Sequence, residues 1–172
     1  MKFKKYKRIS STNALAKKVK HEPWLVIWAE EQTAGYGRKK DYWFSPKGGL
    51  YFSVVLPKST IDDLQTLTIL AAFVVAKVMK ENFNVEPMIK LPNDVYLNQK
   101  KIAGILTETV VGTNVKFSIM GFGLNTNIDK FPKDLENIAT SLKIELGKKV
   151  DNEKILKQII EEIKNQLRTI SE

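Results

Sequence analysis

The sequence predicts a single α+β domain spanning residues 1–172, with a sheet that is mainly antiparallel or mixed and helices packed against it. Three observations predict this. Short apolar runs of strand length recur between Gly-, Pro- and Asn-rich breaks. Two longer stretches, Leu67–Met79 and the segment after Asp151, carry helical patterns. No linker, repeat or low-complexity tract divides the chain, and 172 residues at 43% hydrophobic suffice for one buried core.

The elements follow in order. Phe3 to Ile9 alternates apolar and basic residues, which suits an exposed or edge strand. Ser10-Ser11-Thr12-Asn13 offers N-caps to a short helix reaching about Lys20. Trp24–Ala29 and Leu50–Leu56 read as strands. Between them, Glu30–Gly49 holds four glycines and a proline, an irregular segment of the kind that carries function. Ser59 and Thr60, each three residues ahead of Asp62 and Asp63, offer overlapping capping boxes to the next helix. Its Leu67–Met79 stretch is apolar nearly all round, predicting burial. Met88–Lys90 and Val95–Leu97 are short strands around Leu91-Pro92-Asn93-Asp94. Ile102–Val110 and Val115–Phe122 form a hairpin about Gly112-Thr113-Asn114. Asp151 caps a last helix striped by Ile155, Ile159, Ile163, Leu167 and Ile170.

Composition excludes several chemistries. Cysteine is absent, so disulfides, thiolate nucleophiles and thiolate metal sites are ruled out. The one histidine, His21, argues against a histidine zinc site or a Ser-His-Asp triad, and a surface position is expected for it. No apolar run is long enough to span a bilayer, and the Lys-rich start lacks a secretory core, so a cytoplasmic protein without membrane contact is expected. Residues 1–60 carry 13 Lys/Arg against 4 Asp/Glu, whereas residues 61–172 carry 15 of each. The net charge of +9 thus belongs to the first third, but it is built from lysine, with only three arginines in the chain. Nucleic-acid readers favour arginine for bidentate contacts. A solvated lysine face is the simpler explanation, and no DNA partner is expected.

Three segments carry chemistry. Gln32-Thr33-Ala34-Gly35-Tyr36-Gly37-Arg38-Lys39-Lys40 joins two glycines to three successive cations, suiting close backbone approach to an anion and a forked grip by Arg38. It matches neither a Rossmann fingerprint nor a P-loop. Lys90-Leu91-Pro92-Asn93-Asp94 places Asn93 and Asp94 at a kink after an extended Leu91, with Lys101-Ile102-Ala103-Gly104-Ile105-Leu106 following. Gly121-Phe122-Gly123-Leu124-Asn125 ends a strand. Taken singly, each also reads as an ordinary turn or strand terminus.

Together, with Ser11-Thr12-Asn13, Trp43-to-Tyr51 and Ala139-Thr140-Ser141-Leu142, these residues resemble biotin protein ligases in order and spacing. The resemblance implies a catalytic α/β sandwich related to class II aminoacyl-tRNA synthetases and lipoate ligases. It implies that biotin is activated by ATP to biotinyl-5′-AMP and passed to a lysine of a biotin carboxyl carrier protein, with Mg²⁺ accompanying ATP and no metal held by protein side chains. Lys101, Arg38 and Asp94 would be catalytic. Biotin would meet Ser11, Thr12, Asn13, Gln32, Gly35, Tyr36, Gly37, Arg38, Lys101 and Gly104. The adenylate would meet Arg38, Trp43, Lys90, Asn93, Lys101 and Asn125.

The chain departs from the family pattern at two positions. Tyr36 stands where many members have arginine, and Leu91 where tryptophan is common. The chain is also expected to lack both the N-terminal DNA-binding domain and the C-terminal β-domain of longer members. Two alternatives accompany the ligase reading: a non-catalytic biotin or biotinyl-adenylate binder, and a lipoate or octanoate ligase, against which Gly35-Tyr36-Gly37-Arg38 argues. Oligomeric state stays open, a homodimer included.

Overall fold

A computed structural model describes residues 2–57, 63–111 and 116–171. Seven strands, β1 Lys2–Tyr6, β2 Leu25–Ala29, β3 Leu50–Val55, β4 Met88–Lys90, β5 Asp94–Leu97, β6 Lys100–Val111 and β7 Lys116–Leu124, form one sheet. The order is β1-β2-β3-β7-β6-β5-β4. Only the β1–β2 pair is parallel, so the sheet is mixed, and the α+β expectation holds. The turn expected at Gly112-Thr113-Asn114 lies outside the described residues, as do Ser59, Thr60 and Asp62.

Strand alternation sends side chains to two unequal faces. Val26, Trp28, Phe52, Val54, Met120, Phe122 and Ile105 point into the larger core, where Phe52 stacks on Phe122 at 4.5 Å. Helices α2 (Leu64–Phe83) and α4 (Asn152–Ser171) cover this face, tied by Lys77 to Glu162 at 2.8 Å. Leu25, Ile27, Val55, Phe117 and Ile119 point the other way, under helix α1 (Thr12–Ala16). Strands β2 and β3 are buried throughout because both faces are covered, which explains their unbroken apolar sequences.

Caps set the helix ends. Ser11 accepts from the Ala14 amide to open α1, and Asp63 accepts from the Gln65 and Thr66 amides to open α2. Asp151 accepts from the Glu153 and Lys154 amides to open α4, as its sequence position predicts. Some expectations change. Helix α1 stops at Ala16, with Lys18 already bonded in a tighter turn to Leu15, and β1 ends at Tyr6. Helix α2 is not covered all round, since Phe73 is 53% exposed, and Ile170 of the α4 stripe is likewise exposed. A short helix α3 (Leu142–Leu146), capped by Ser141 and closed by Gly147 in the left-handed region, was not expected. His21 is half-buried rather than on the open surface, its ring 4.9 Å from Phe117 and its Nε2 3.1 Å from the Leu56 carbonyl. No helix among the described residues is long and apolar enough to cross a membrane.

Candidate active site

On the α1 face, the sheet loses its side chains where the three central strands meet. Gly121 of β7 lies between Ser53 of β3 and Leu106 of β6 in register, and Gly123 pairs with Gly104 of β6. These glycines leave a shallow floor, over which the loop of residues 30–49 folds to form a cavity of about 390 Å³.

Two side chains cover the floor at separate places. Asn13, delivered by α1, spans Gly121: its Oδ1 accepts from Ser53 Oγ at 2.5 Å, and its Nδ2 donates to Glu108 at 2.9 Å and to the Leu106 carbonyl at 3.3 Å. A methyl group at Gly121 would meet Asn13 Cγ at 2.6 Å, so glycine is required beneath it. Trp43 lies over the Gly104–Gly123 pair, where a methyl at Gly123 would stand 2.6 Å from Cε2 and one at Gly104 3.0 Å from Cζ3.

Behind Asn13, Gln32 knots the loop to α1. Its Oε1 accepts from the Thr12 amide at 2.7 Å and its Nε2 donates to Ser45 Oγ at 3.0 Å. Gly35 packs against this knot, leaving no room for a Cβ beside Ser45 and the Trp43 carbonyl. The loop then makes a narrow ladder, with Tyr36 bridged to Tyr42 and the Trp43 amide bonded to the Gly35 carbonyl. Arg38 sits at its tip in a single tight turn, with Lys39 and Lys40 at positive φ.

On the far wall, Lys101 of β6 and Asp94 of β5 form an ion pair at 2.7 Å, and Lys101 Nζ lies 5.2 Å from the Trp43 ring centre. Asn93 and Asp94 reach the cavity from the three-residue turn after β4, which contains a cis Leu91–Pro92 bond. The Asn93 carbonyl is held by the Ile105 amide.

Of the residues singled out in the sequence, Ser11, Thr12, Asn13, Gln32, Tyr36, Gly37, Arg38, Trp43, Asn93, Asp94, Lys101 and Gly104 line one cavity. Three others do not line it. Lys90 is exposed, with its ammonium 5.5 Å from the Tyr96 ring. Asn125 is buried behind the wall, where its amide donates to the Lys101 carbonyl at 3.4 Å and supports that strand. Gly35 lies beneath the Gln32 knot. Sequence reading marked the segment of Gly121 and Gly123 without giving either glycine a role, and it missed Ser53 and Glu108. Glycines at alternate positions on one face of β7 were the available signal for the floor.

Titration follows from these contacts. Burial, then the Glu108 charge, holds the Tyr36 phenol above its ordinary pKa, so it is a neutral donor. For Lys17, burial works against the charge, but bonds to Glu108 and Tyr36 prevail and its pKa is raised. No group of three or more His, Cys, Asp or Glu stands together among the described residues, so a side-chain cage for a metal does not fit them.

A floor of sheet glycines, a ring laid over it, and Lys101 and Arg38 on its lining define an α+β protein with a cationic cavity whose shape and charge suit an anion with a flat group. Comparison with known proteins places it further. The chain belongs to the biotin/lipoate A/B protein ligase family, whose model matches residues 6–125. It is 37% identical over 161 residues to the bifunctional ligase/repressor BirA of Bacillus spizizenii, covering 88% of this chain and 49% of that protein. It is 33% identical over 160 residues to the biotin–[acetyl-CoA-carboxylase] ligase of Paracoccus denitrificans, covering 87% and 66%. The structure of biotin protein ligase from Aquifex aeolicus in complex with biotin and ATP aligns with a TM-score of 0.89 at 30% identity, covering 97% of this chain and 70% of that one. The chain spans about half the length of the Bacillus relatives it matches.

Proposed function

We propose that the chain is a biotin protein ligase, forming biotinyl-5′-AMP from biotin and ATP and transferring biotin to a lysine of a biotin carboxyl carrier protein. The observation that carries this reading is the cation set of the cavity: Lys101, paired with Asp94 and lying over Trp43, with Arg38 on the same lining. Identity with named ligases across most of the chain supports it.

In the first half-reaction a biotin carboxylate oxygen attacks the α-phosphorus of ATP, the bond to the β-phosphate breaks, and pyrophosphate leaves. Two anions must approach each other, so cations at the meeting point lower the barrier. Lys101 and Arg38 take this role. Biotin's ring end lies toward Ser11, Thr12, Asn13 and Gln32, whose bonds to one another pre-set their polar atoms, and the adenine lies on Trp43 near Asn93. Mg²⁺ enters on the triphosphate as part of the substrate.

In the second half-reaction the acceptor lysine's amine attacks the mixed anhydride carbon, the bond to the phosphate oxygen breaks, and AMP leaves. Asp94 draws in the acceptor ammonium and helps remove its proton. Asp94 already holds one ammonium, that of Lys101, at 2.7 Å, so its position suits a cation at the cavity wall. We place the reaction in the cytoplasm, where the ATP it consumes is available.

The test is chromatographic detection of biotinyl-5′-AMP after incubation with biotin and Mg-ATP. The ligase reading requires adenylate and pyrophosphate in equal amounts. Biotin binding without adenylate would instead make the protein a receptor.

A further inference from the structure

We propose that Glu108 is a positioning residue: together with Tyr36 and Lys17 it clasps the loop of residues 32–43 to α1 and β6 and so sets the shape of the cavity. Three partners converge on this carboxylate. Tyr36 Oη donates to Oε2 at 3.0 Å, Asn13 Nδ2 donates to the same oxygen at 2.9 Å, and Lys17 Nζ stands 2.5 Å from Oε1. They come from three elements: the irregular loop, α1, and the turn following α1.

Glu108 does not line the main cavity. It lines a second one on the other side of the loop, together with Lys17, while Tyr36, Gly37, Arg38, Lys39 and Leu106 line both. The loop from Tyr36 to Lys39 is therefore part of the partition, and Glu108 holds it through the Tyr36 phenol. Because Tyr36 is bridged to Tyr42 across the loop, fixing one phenol fixes both arms, and Arg38 lies between them. Glu108 also decides how the Asn13 amide is turned. With Ser53 Oγ donating to Oδ1, Nδ2 must face Glu108 and Leu106. One carboxylate thus sets a side chain at the floor and the loop bearing a cation at the rim. A bare carboxylate so near would repel an acidic substrate, and Lys17 offsets that charge.

The bearing of the clasp on turnover rests on the ligase reading, whereas the clasp itself does not. The experiment has two arms, on wild type, Glu108→Ala, Glu108→Gln and Tyr36→Phe. Hydrogen exchange with and without saturating biotin reads the loop, whose Gly37 and Trp43 amides are bonded to the Asp41 and Gly35 carbonyls. Adenylate formation gives KM for biotin and kcat. Glu108→Ala should speed loop exchange while β3 and α2 stay as protected as in wild type. It should raise KM for biotin about tenfold, as expected for losing a charged acceptor, and leave kcat at saturating biotin within about twofold. Tyr36→Phe should speed loop exchange and raise KM less. Glu108→Gln keeps an acceptor for Tyr36 and Asn13 and should recover most of both effects. Unchanged loop exchange in Glu108→Ala, a rise spread evenly through β3 and α2, or a fall in kcat without a KM change would overturn the clasp. Should wild type form no adenylate, the ligase reading falls and the exchange arm alone decides the clasp.

Discussion

Replacing Gly123 by alanine separates the two halves of the cavity with a single methyl group. The added Cβ would fall inside the contact radius of Trp43 Nε1 and 2.6 Å from Cε2, so the indole must leave its seat on the Gly104–Gly123 pair. Asn13 covers Gly121 instead, two residues along the strand, and is untouched. Stacking of an aromatic side chain on a base is worth about 1–3 kcal/mol, so displacing Trp43 should weaken ATP about 5- to 150-fold. The assay is pyrophosphate release with ATP varied at saturating biotin, beside calorimetric titration of biotin alone. Gly123→Ala should raise KM for ATP within that range and leave the biotin Kd within about twofold. Gly121→Ala, whose methyl would stand 2.6 Å from Asn13 Cγ, should do the reverse. Overpacking costs about 1–3 kcal/mol of stability at each site, so thermal melts accompany both variants. Equal effects of Gly123→Ala on the two ligands would refute the division of the floor.

Other perturbations test separate parts. Lys101→Ala should slow adenylate formation about 10²- to 10³-fold. Its stability in melts should fall by about 1–3 kcal/mol without unfolding the protein, because the buried Asp94 Oδ1 loses its 2.7 Å partner. Bonds from Thr66 and Gln65 hold the Asp63 carboxyl below its usual pKa, so its contribution to stability is present at neutral pH and lost as pH falls through that lowered value. Asp63→Asn, which keeps a cap without the charge, should melt slightly below wild type at pH 7 and converge with it in acid, giving a flatter acid limb. Tyr51→Phe should cost about 1 kcal/mol in denaturant melts, because the Pro46 carbonyl loses its 2.8 Å donor, with adenylate formation unchanged.

The elements with strong local signals were legible in the sequence. Asp151 as a cap, the apolar β2 and β3 runs and the β6–β7 hairpin needed only periodicity and side-chain chemistry. Helix α3 was not legible, because five residues between Ser141 and Gly147 show less than two turns of pattern. The exposure of Phe73 was hidden for another reason: an apolar helix face does not report whether a neighbour covers it. At the site, motif order gathered Ser11 to Asn13, Gln32, Arg38, Asn93, Asp94 and Lys101, which line one cavity. It also brought in Lys90, at the end of β4, and Asn125, just past the end of β7, which do not line that cavity. Glu108 escaped notice because one carboxylate in a strand looks solvated, and its partners lie 72 to 95 residues away. The N-terminal charge surplus is little offset in place: Lys2, Lys5 and Arg8 pair with Glu22, Glu30 and Glu31, acids the surplus already counts, whereas Lys17 reaches Glu108 beyond that segment.

The most direct measurement is intact-mass and peptide mass spectrometry of a biotin carrier domain incubated with this protein, biotin and Mg-ATP. The account predicts one biotinyl group on one carrier lysine, absent when ATP is omitted and lost with Lys101→Ala. An unmodified carrier, with the protein folded and biotin bound, would contradict it.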